Sequence, residues 1–392
     1  MLGKANWPET QARWAAYWRR ENTGRPLMCV VAREPATEAA FQRARAEGRR
    51  LFSVLCEGAD ATLPRDLEPL DPADQYRTAA RLDARYRHFL ATHRFLAESF
   101  PNIDPNFGPG SLPAYLGSDI VFGPDTVWFD RCVDDWATWP PLRFDPANPW
   151  WAEHYRLVAD LVTLAGGDYL VPLPDLGENI DVLAALRGPT GLLLDTMDCP
   201  DEVDRRVAEV TDVYFEFYDR FYDLVQAADG SSAYTVFQVW GPGRVSRLGC
   251  DLSAMLGPDH FRALVLDSVR TIAGRLDQVL YHLDGAEAIR HLDALMEIDE
   301  IDVLQWTPGN HGPDGTAEQW DIVYDKARAA GKAIWVKVHN GGVDDWIAHT
   351  DRLIARYGSR GTFLHFPEMS LAEAEKLLDH AERRWSDVEG AV

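Results

Sequence analysis

Paired cysteines are missing from this chain. Its 5 cysteines, at positions 29, 56, 132, 199 and 250, are odd in number and never spaced C-x-x-C. That excludes a disulfide framework or a thiolate zinc cage and points to a reducing compartment. Long apolar runs are missing too. The longest, Leu27 to Ala32, is far too short for a membrane span, and no signal-peptide pattern opens the sequence. No asparagine stands in a glycosylation acceptor context. Together these absences predict a cytoplasmic protein. Basic residues are scarce: 39 Lys and Arg stand against 62 Asp and Glu, a formal net charge of -23. A surface of that sign repels phosphate backbones, so nucleic acid is not an expected partner. There is no G-x-G-x-x-G after the first strand, and no P-loop, nucleophile elbow, H-E-x-x-H helix or EF-hand loop.

What is present is a long alternation of short apolar runs and helical patterns. Trp14, Tyr17 and Trp18 repeat at helical spacing after Trp7-Pro8-Glu9, so residues 1–26 read as a helical extension leading to a first strand, Leu27 to Val31. Further buried strands are expected to start near 169, 234, 278, 301, 333 and 362, with an eighth near 99–104, most of them separated by helices. Regular strand–helix alternation of this kind predicts an α/β fold, a (β/α)8 TIM barrel, as one domain over 1–392. The loop-rich stretch 101–149 is the expected insertion, with Asp104, Asn106 and Tyr115 as candidate pocket residues or parts of a packed Ω-type loop.

Residues 278–311 are the most informative stretch. Val279 to His282 form an apolar run ending at Asp284-Gly285; a helical pattern follows; Ile301 to Trp306 form a second run ending at Pro308-Gly309. Strand, helix, strand with tight connections is a βαβ unit with parallel strands. Ligands bind at the carboxyl ends of such strands. This nominates His282, Asp284, Gln305 and Trp306, and at other predicted strand ends Asp175, Asn179, Trp240, Asp251, Lys337, His339 and His365.

Several longer segments carry a family likeness: W-x-x-x-W at Trp14 and Trp18, E-N-T-G-R-P-L at 21–27, Y-L-G-S-D at 115–119 and D-L-G-E-N-I-D at 175–181. C-D-L-S-A-M-L-G-P-D-H-F at 250–261, Y-H-L-D-G at 281–285 and H-L-D at 291–293 extend it. In these the chain resembles the uroporphyrinogen decarboxylase-like superfamily of (β/α)8 barrels, which includes corrinoid-dependent methyltransferases. Two departures matter. The decarboxylase's arginine-rich segment after strand one is replaced by Val31-Ala32-Arg33-Glu34-Pro35, which disfavours tetrapyrrole decarboxylation. The H-x-C-G of the zinc methyltransferases reads His282-Leu283-Asp284-Gly285, and His365 or Glu368 stands near the place of their last cysteine.

The resemblance implies methyl transfer from a small methylated compound to a thiol or to a corrinoid carried by a separate partner protein. It also implies pairing of two copies, as related barrels do. Zinc or another divalent metal would sit on His282, Asp284 and His365, three ligands with an open position. The plainer alternative makes His282 a hydrogen-bonded lining residue and Asp284 and Asp251 helix N-caps. A metal-free reading uses Asp175, Asp251, Lys337 and His339 as acid and base groups of a carbon–carbon lyase on a small carboxylic acid. A third is a ligand-binding barrel without catalysis. Trp240 and Trp306 are expected as flat pocket walls and Trp335 as packing beneath the outer helices.

Overall fold

In a computed structural model of the chain, residues 1, 3–55, 59–123, 126–309 and 312–392 are described. Cys56 and the Asn310-His311 end of the 278–311 stretch lie outside them. The fold is α/β, built on a mostly parallel sheet surrounded by helices. Leu27–Arg33 is buried along its whole length, as a strand covered on both faces must be. It pairs in parallel with Thr362–His365, which continues through Ala333–Lys337, Val303–Thr307 and Gln278–Asp284 to Val245–Gly249. On its other edge Leu27–Arg33 pairs antiparallel with His93–Ala97.

Beyond that point the ladder thins. Asn102 bridges Leu170 and Leu173 bridges Tyr234, each as a single parallel contact. The strands expected near 99–104 and 169–173 are therefore reduced to isolated bridges, and among the described residues the sheet does not close as a regular eight-stranded barrel. Pro101, Pro172 and Pro174 interrupt these segments, and a proline cannot donate to a ladder.

The region expected as one strand from 234 to 240 is a hairpin, Ser232–Tyr234 against Val239–Gly241. The parallel neighbour of Gln278–Asp284 is instead Val245–Gly249, which lies past the Gly241-Pro242-Gly243 turn. The helix Ala79–Thr92 is followed directly by the antiparallel strand His93–Ala97.

The outer helices follow their sequence signals. Pro149–Ala165 opens with Pro just inside the first turn, Asn148 accepting from the Trp151 N–H, and ends where Gly166 takes φ 54°. Pro200–Val225 buries Val203, Val207, Val210, Tyr214, Phe217 and Phe221 along one stripe. The helix Trp7–Trp18 plugs the end of the sheet where the strands begin: Trp14 packs on Phe363 at 5.0 Å and the Tyr17 hydroxyl donates to the Ile334 carbonyl. Burying rings of this size contributes roughly 2–3 kcal/mol each. The opposite end, where the strands finish, stays free for chemistry. No helix of the described residues is long and apolar enough to cross a membrane.

Candidate functional site

The strand ends bring together three potential ligands. Gly249 stands beside His282, and His282 beside Gln305, with Asp284 beside Thr307 two residues further along. After Gly249 the chain turns into a short 3-10 helix, Asp251–Met255. Asp251, His282 and Asp284 each present one ligand atom, and these lie within 4.8 Å of one another. His282 and Asp284 are two apart on one strand and so share a face. Asp251 is exposed and the other two are half-buried, so the group sits on the rim with one side open.

Neither aspartate is the helix cap that the plainer reading required. Gly285 holds the N-cap position after Asp284, and Cys250 holds it before Asp251. The Asp284 Oδ1 atom is buried without a hydrogen-bond partner. His282 Nδ1 is engaged by Gln305 Oε1, and Gln305 donates its own amide to Thr307 Oγ1 at 3.0 Å. With Nδ1–H donating, Nε2 is the nitrogen left for a ligand. Burial, aided by the Arg247 charge, lowers the His282 imidazole below its ordinary value and favours the neutral form that binds metals. Burial raises the Asp284 carboxyl; His282 opposes the rise and the Asp251 charge adds to it.

Asp251 is held in place by the D-L-G-E-N-I-D segment. Asp181 accepts the N–H groups of Asp251 at 2.6 Å and Leu252 at 2.9 Å. Glu178 accepts the Gly249 N–H at 2.5 Å, and Asn179 donates to the Gly249 carbonyl at 2.8 Å. Asn179 adopts φ 49°, which aims its amide at this turn. It is thus a clamp on the main chain, where the sequence suggested substrate binding.

Beside the group lies a charge network that joins the nominated Asp175 to Arg247 and Glu178, which the sequence did not single out. Arg247 on Val245–Gly249 reaches Asp175 and Glu178, each at 3.3 Å. Its Nε has no partner. Burial pushes Glu178 up to about 8 against the pull of Arg247, and Asp181 up to about 7, with the Asp251 charge adding to the latter. The signal was a charged residue inside the apolar run V-S-R-L-G, since buried arginines occur only when paired.

Asp175 also lines a cavity of about 320 Å³ with Asp104, Asn106, Tyr76, Tyr86 and Phe52. Three nominated residues therefore meet there. Asn106 ties them, donating to Asp104 Oδ1 at 2.7 Å and accepting the Asp175 N–H at 2.7 Å. Burial pushes the Asp104 carboxyl up to about 6 against the Asn106 hydrogen bonds.

The remaining nominated residues are placed elsewhere. His365 stands opposite Lys337 and Cys29 and stacks on Trp335 at 5.1 Å, outside the Asp251–His282–Asp284 group. It is 2% exposed, neither ring nitrogen has a partner, and burial pushes it down to about 3, with Lys337 adding to the fall. Lys337 is half-buried at the end of its strand; His339 is exposed, its N–H donating to Asp314 at 2.7 Å.

Tyr115 does not face the cavity: its hydroxyl meets His154 Nδ1 at 2.5 Å among Trp151 and Phe217. Trp240 packs edge-on to Trp7 at 5.7 Å and takes the Trp18 indole N–H on its carbonyl, because the hairpin carries it back towards the plugged end. Trp306 points outward onto Trp320 at 5.2 Å, while Trp335 faces inward with its indole N–H on the Phe237 carbonyl. Trp306 thus takes the packing role expected of Trp335. Gln305 and Trp335 are register partners, so both face in, and Trp306 must face out.

No protein-family model matches this sequence, and no curated protein matches it. Among solved structures, a methyltransferase from Methanosarcina mazei is similar with TM-score 0.58 and 11% identity, over 95% of this chain and 98% of that one. At that identity the likeness is one of fold, and it extends along nearly the whole length of both chains.

Proposed function

We propose that this protein is a methyltransferase that takes a methyl group from a small methylated compound and passes it to a thiol or to a corrinoid held by a partner protein. The observation that carries the reading is the convergence of Asp251, His282 and Asp284 within 4.8 Å at the strand ends. One nitrogen and two carboxylates are a hard donor set suited to zinc or another divalent ion, and three protein ligands leave a position open. The unpartnered Asp284 Oδ1 and the Gln305-oriented His282 fit such an ion. A metal bound there would act as a Lewis acid that lowers the pKa of a thiol or hydroxyl nucleophile.

The chain's own residues supply the rest. Gln305 fixes the imidazole tautomer, and Asp181, Glu178 and Asn179 hold the turn bearing Asp251. The neighbouring cavity houses the methylated compound, with Asp104, Asn106 and Asp175 on its wall. Arg247 connects that wall to the rim through its contact with Asp175. Because this guanidinium is already engaged by two carboxylates, it is poorly placed to receive a substrate carboxylate, which weighs against the lyase reading.

The test is turnover. Protein loaded with zinc is mixed with a panel of methylated amines, ethers and thioethers and a thiol acceptor, with and without added chemically reduced cob(I)alamin, and methylated product is measured. Product that disappears in Asp284→Asn at unchanged thermal stability supports methyl transfer. Release of carbon dioxide from a small carboxylic acid, with no methylated product, overturns it in favour of a lyase.

A further inference from the structure

The cavity wall has a charge imbalance. Arg85 lines it, but that guanidinium is consumed by Asp74 at 2.5 Å and by the Leu67 and Asp74 carbonyls. Asp175 shares Arg247 with Glu178. Among the described residues Asp104 has no cation of its own. Its Oδ1 takes both the N–H and the amide of Asn106, which leaves Oδ2 for the cavity. The same wall carries three aromatic residues, Phe52, Tyr76 and Tyr86, among aliphatic ones such as Leu82, Ile103 and Val236.

An unpaired carboxylate among aromatic faces attracts positive charge, since ring faces are electron-rich and a desolvated carboxylate is costly alone. A volume of about 320 Å³ admits a small molecule and excludes a tetrapyrrole or a peptide chain.

We propose that this cavity takes a small organic cation, carrying a protonated or methylated nitrogen, with Asp104 as counter-ion and the Phe52, Tyr76 and Tyr86 rings as walls. The proposal rests on the methyltransferase reading only for the fate of that cation; binding stands without turnover. The step it feeds is methyl transfer from nitrogen, in which the C–N bond breaks, its electron pair stays on the nitrogen, and the acceptor, a thiolate or a corrinoid's cobalt(I), supplies the pair for the new bond to carbon.

Binding is tested by calorimetry on the full chain with four probes: choline, trimethylammonium, acetate, and 3,3-dimethyl-1-butanol, which replaces the choline nitrogen by carbon. Choline is expected to bind about tenfold or more tightly than its carbon isostere. Acetate is expected not to bind, and Asp104→Asn to bring choline and the isostere within about threefold of each other. Equal binding of choline and the isostere, tighter binding of acetate, or no binding of either cation at about 10 mM overturns the proposal. The wild-type comparison requires no variant, so a misfolded Asp104→Asn leaves it decisive. Cation binding without methyl transfer from any compound removes the methyltransferase reading alone. Methyl transfer from a neutral or anionic compound without cation binding removes this inference alone.

Discussion

Gln305 holds His282 from the neighbouring strand, at the same register position, by a hydrogen bond from Nδ1 to Oε1. The pair faces the interior, where Phe237 packs 5.0 Å from the imidazole and 5.5 Å from the Trp335 ring. An outer partner of this kind fixes which nitrogen is free and keeps the ring from rotating. Gln305→Leu is therefore expected to weaken divalent-metal affinity about 10- to 100-fold without unfolding the protein. Competition against a chromophoric chelator measures it, and an unchanged affinity would show that the pairing is only packing.

The Asp181 clamp predicts a second effect at a distance from the ligands. Its two oxygens take the N–H groups of Asp251 and Leu252, so Asp181→Ala frees the turn while leaving every ligand in the chain. Metal affinity is expected to fall about tenfold. Asp181→Asn, which keeps one acceptor, should fall between the two. If both variants bind as the parent does, Asp251 needs no such positioning.

Arg247 reaches two nearly inaccessible groups: the side chains of Asp175 and Glu178 are 3% and 2% exposed. Removing the cation strands them, so Arg247→Met is expected to cost about 3 kcal/mol or more in urea denaturation. Adding Asp175→Asn should restore part of that loss, because the carboxylate left without its cation is gone. Additive losses in the double variant would contradict the network.

His365 makes stability depend on pH. Burial holds its imidazole down at about 3, whereas in the unfolded chain it titrates near 6.5. The unfolded chain takes the proton first, so the contribution is fully present above about 6.5 and is lost as pH falls towards the folded value. His365→Leu lacks this penalty. Its stability relative to the parent is expected to improve on acidification below about pH 6.5, by up to about 1.4 kcal/mol per pH unit. Urea titrations at pH 7 and pH 5 check it; a difference that does not change with pH would contradict it.

Much of the architecture was legible because its strands are short apolar runs stopped by polar or glycine signals, as in Gln278–Asp284, Val303–Thr307 and Ala333–Lys337. Val245–Gly249 was not, because Arg247 breaks the apolar pattern and the glycines before it read as the end of a strand. His282 and Asp284 were legible as a pair through their two-residue spacing. Their third companion was not. Asp251 joins them, and not His365, because contacts spanning some 70 residues from Asp181 and Glu178 fold its turn over the strand end. No local pattern encodes such contacts. The inward Trp335 and outward Trp306 turn on register, which a single strand's sequence does not fix.

The central claim is that Asp251, His282 and Asp284 together hold a divalent metal. The direct measurement is metal content, by mass spectrometry, of protein prepared without chelator and dialysed against zinc. About one equivalent per chain is expected for the parent and for His365→Ala, with loss in His282→Ala and in Asp284→Ala. Metal retained in full by His282→Ala, or lost only in His365→Ala, would contradict the account.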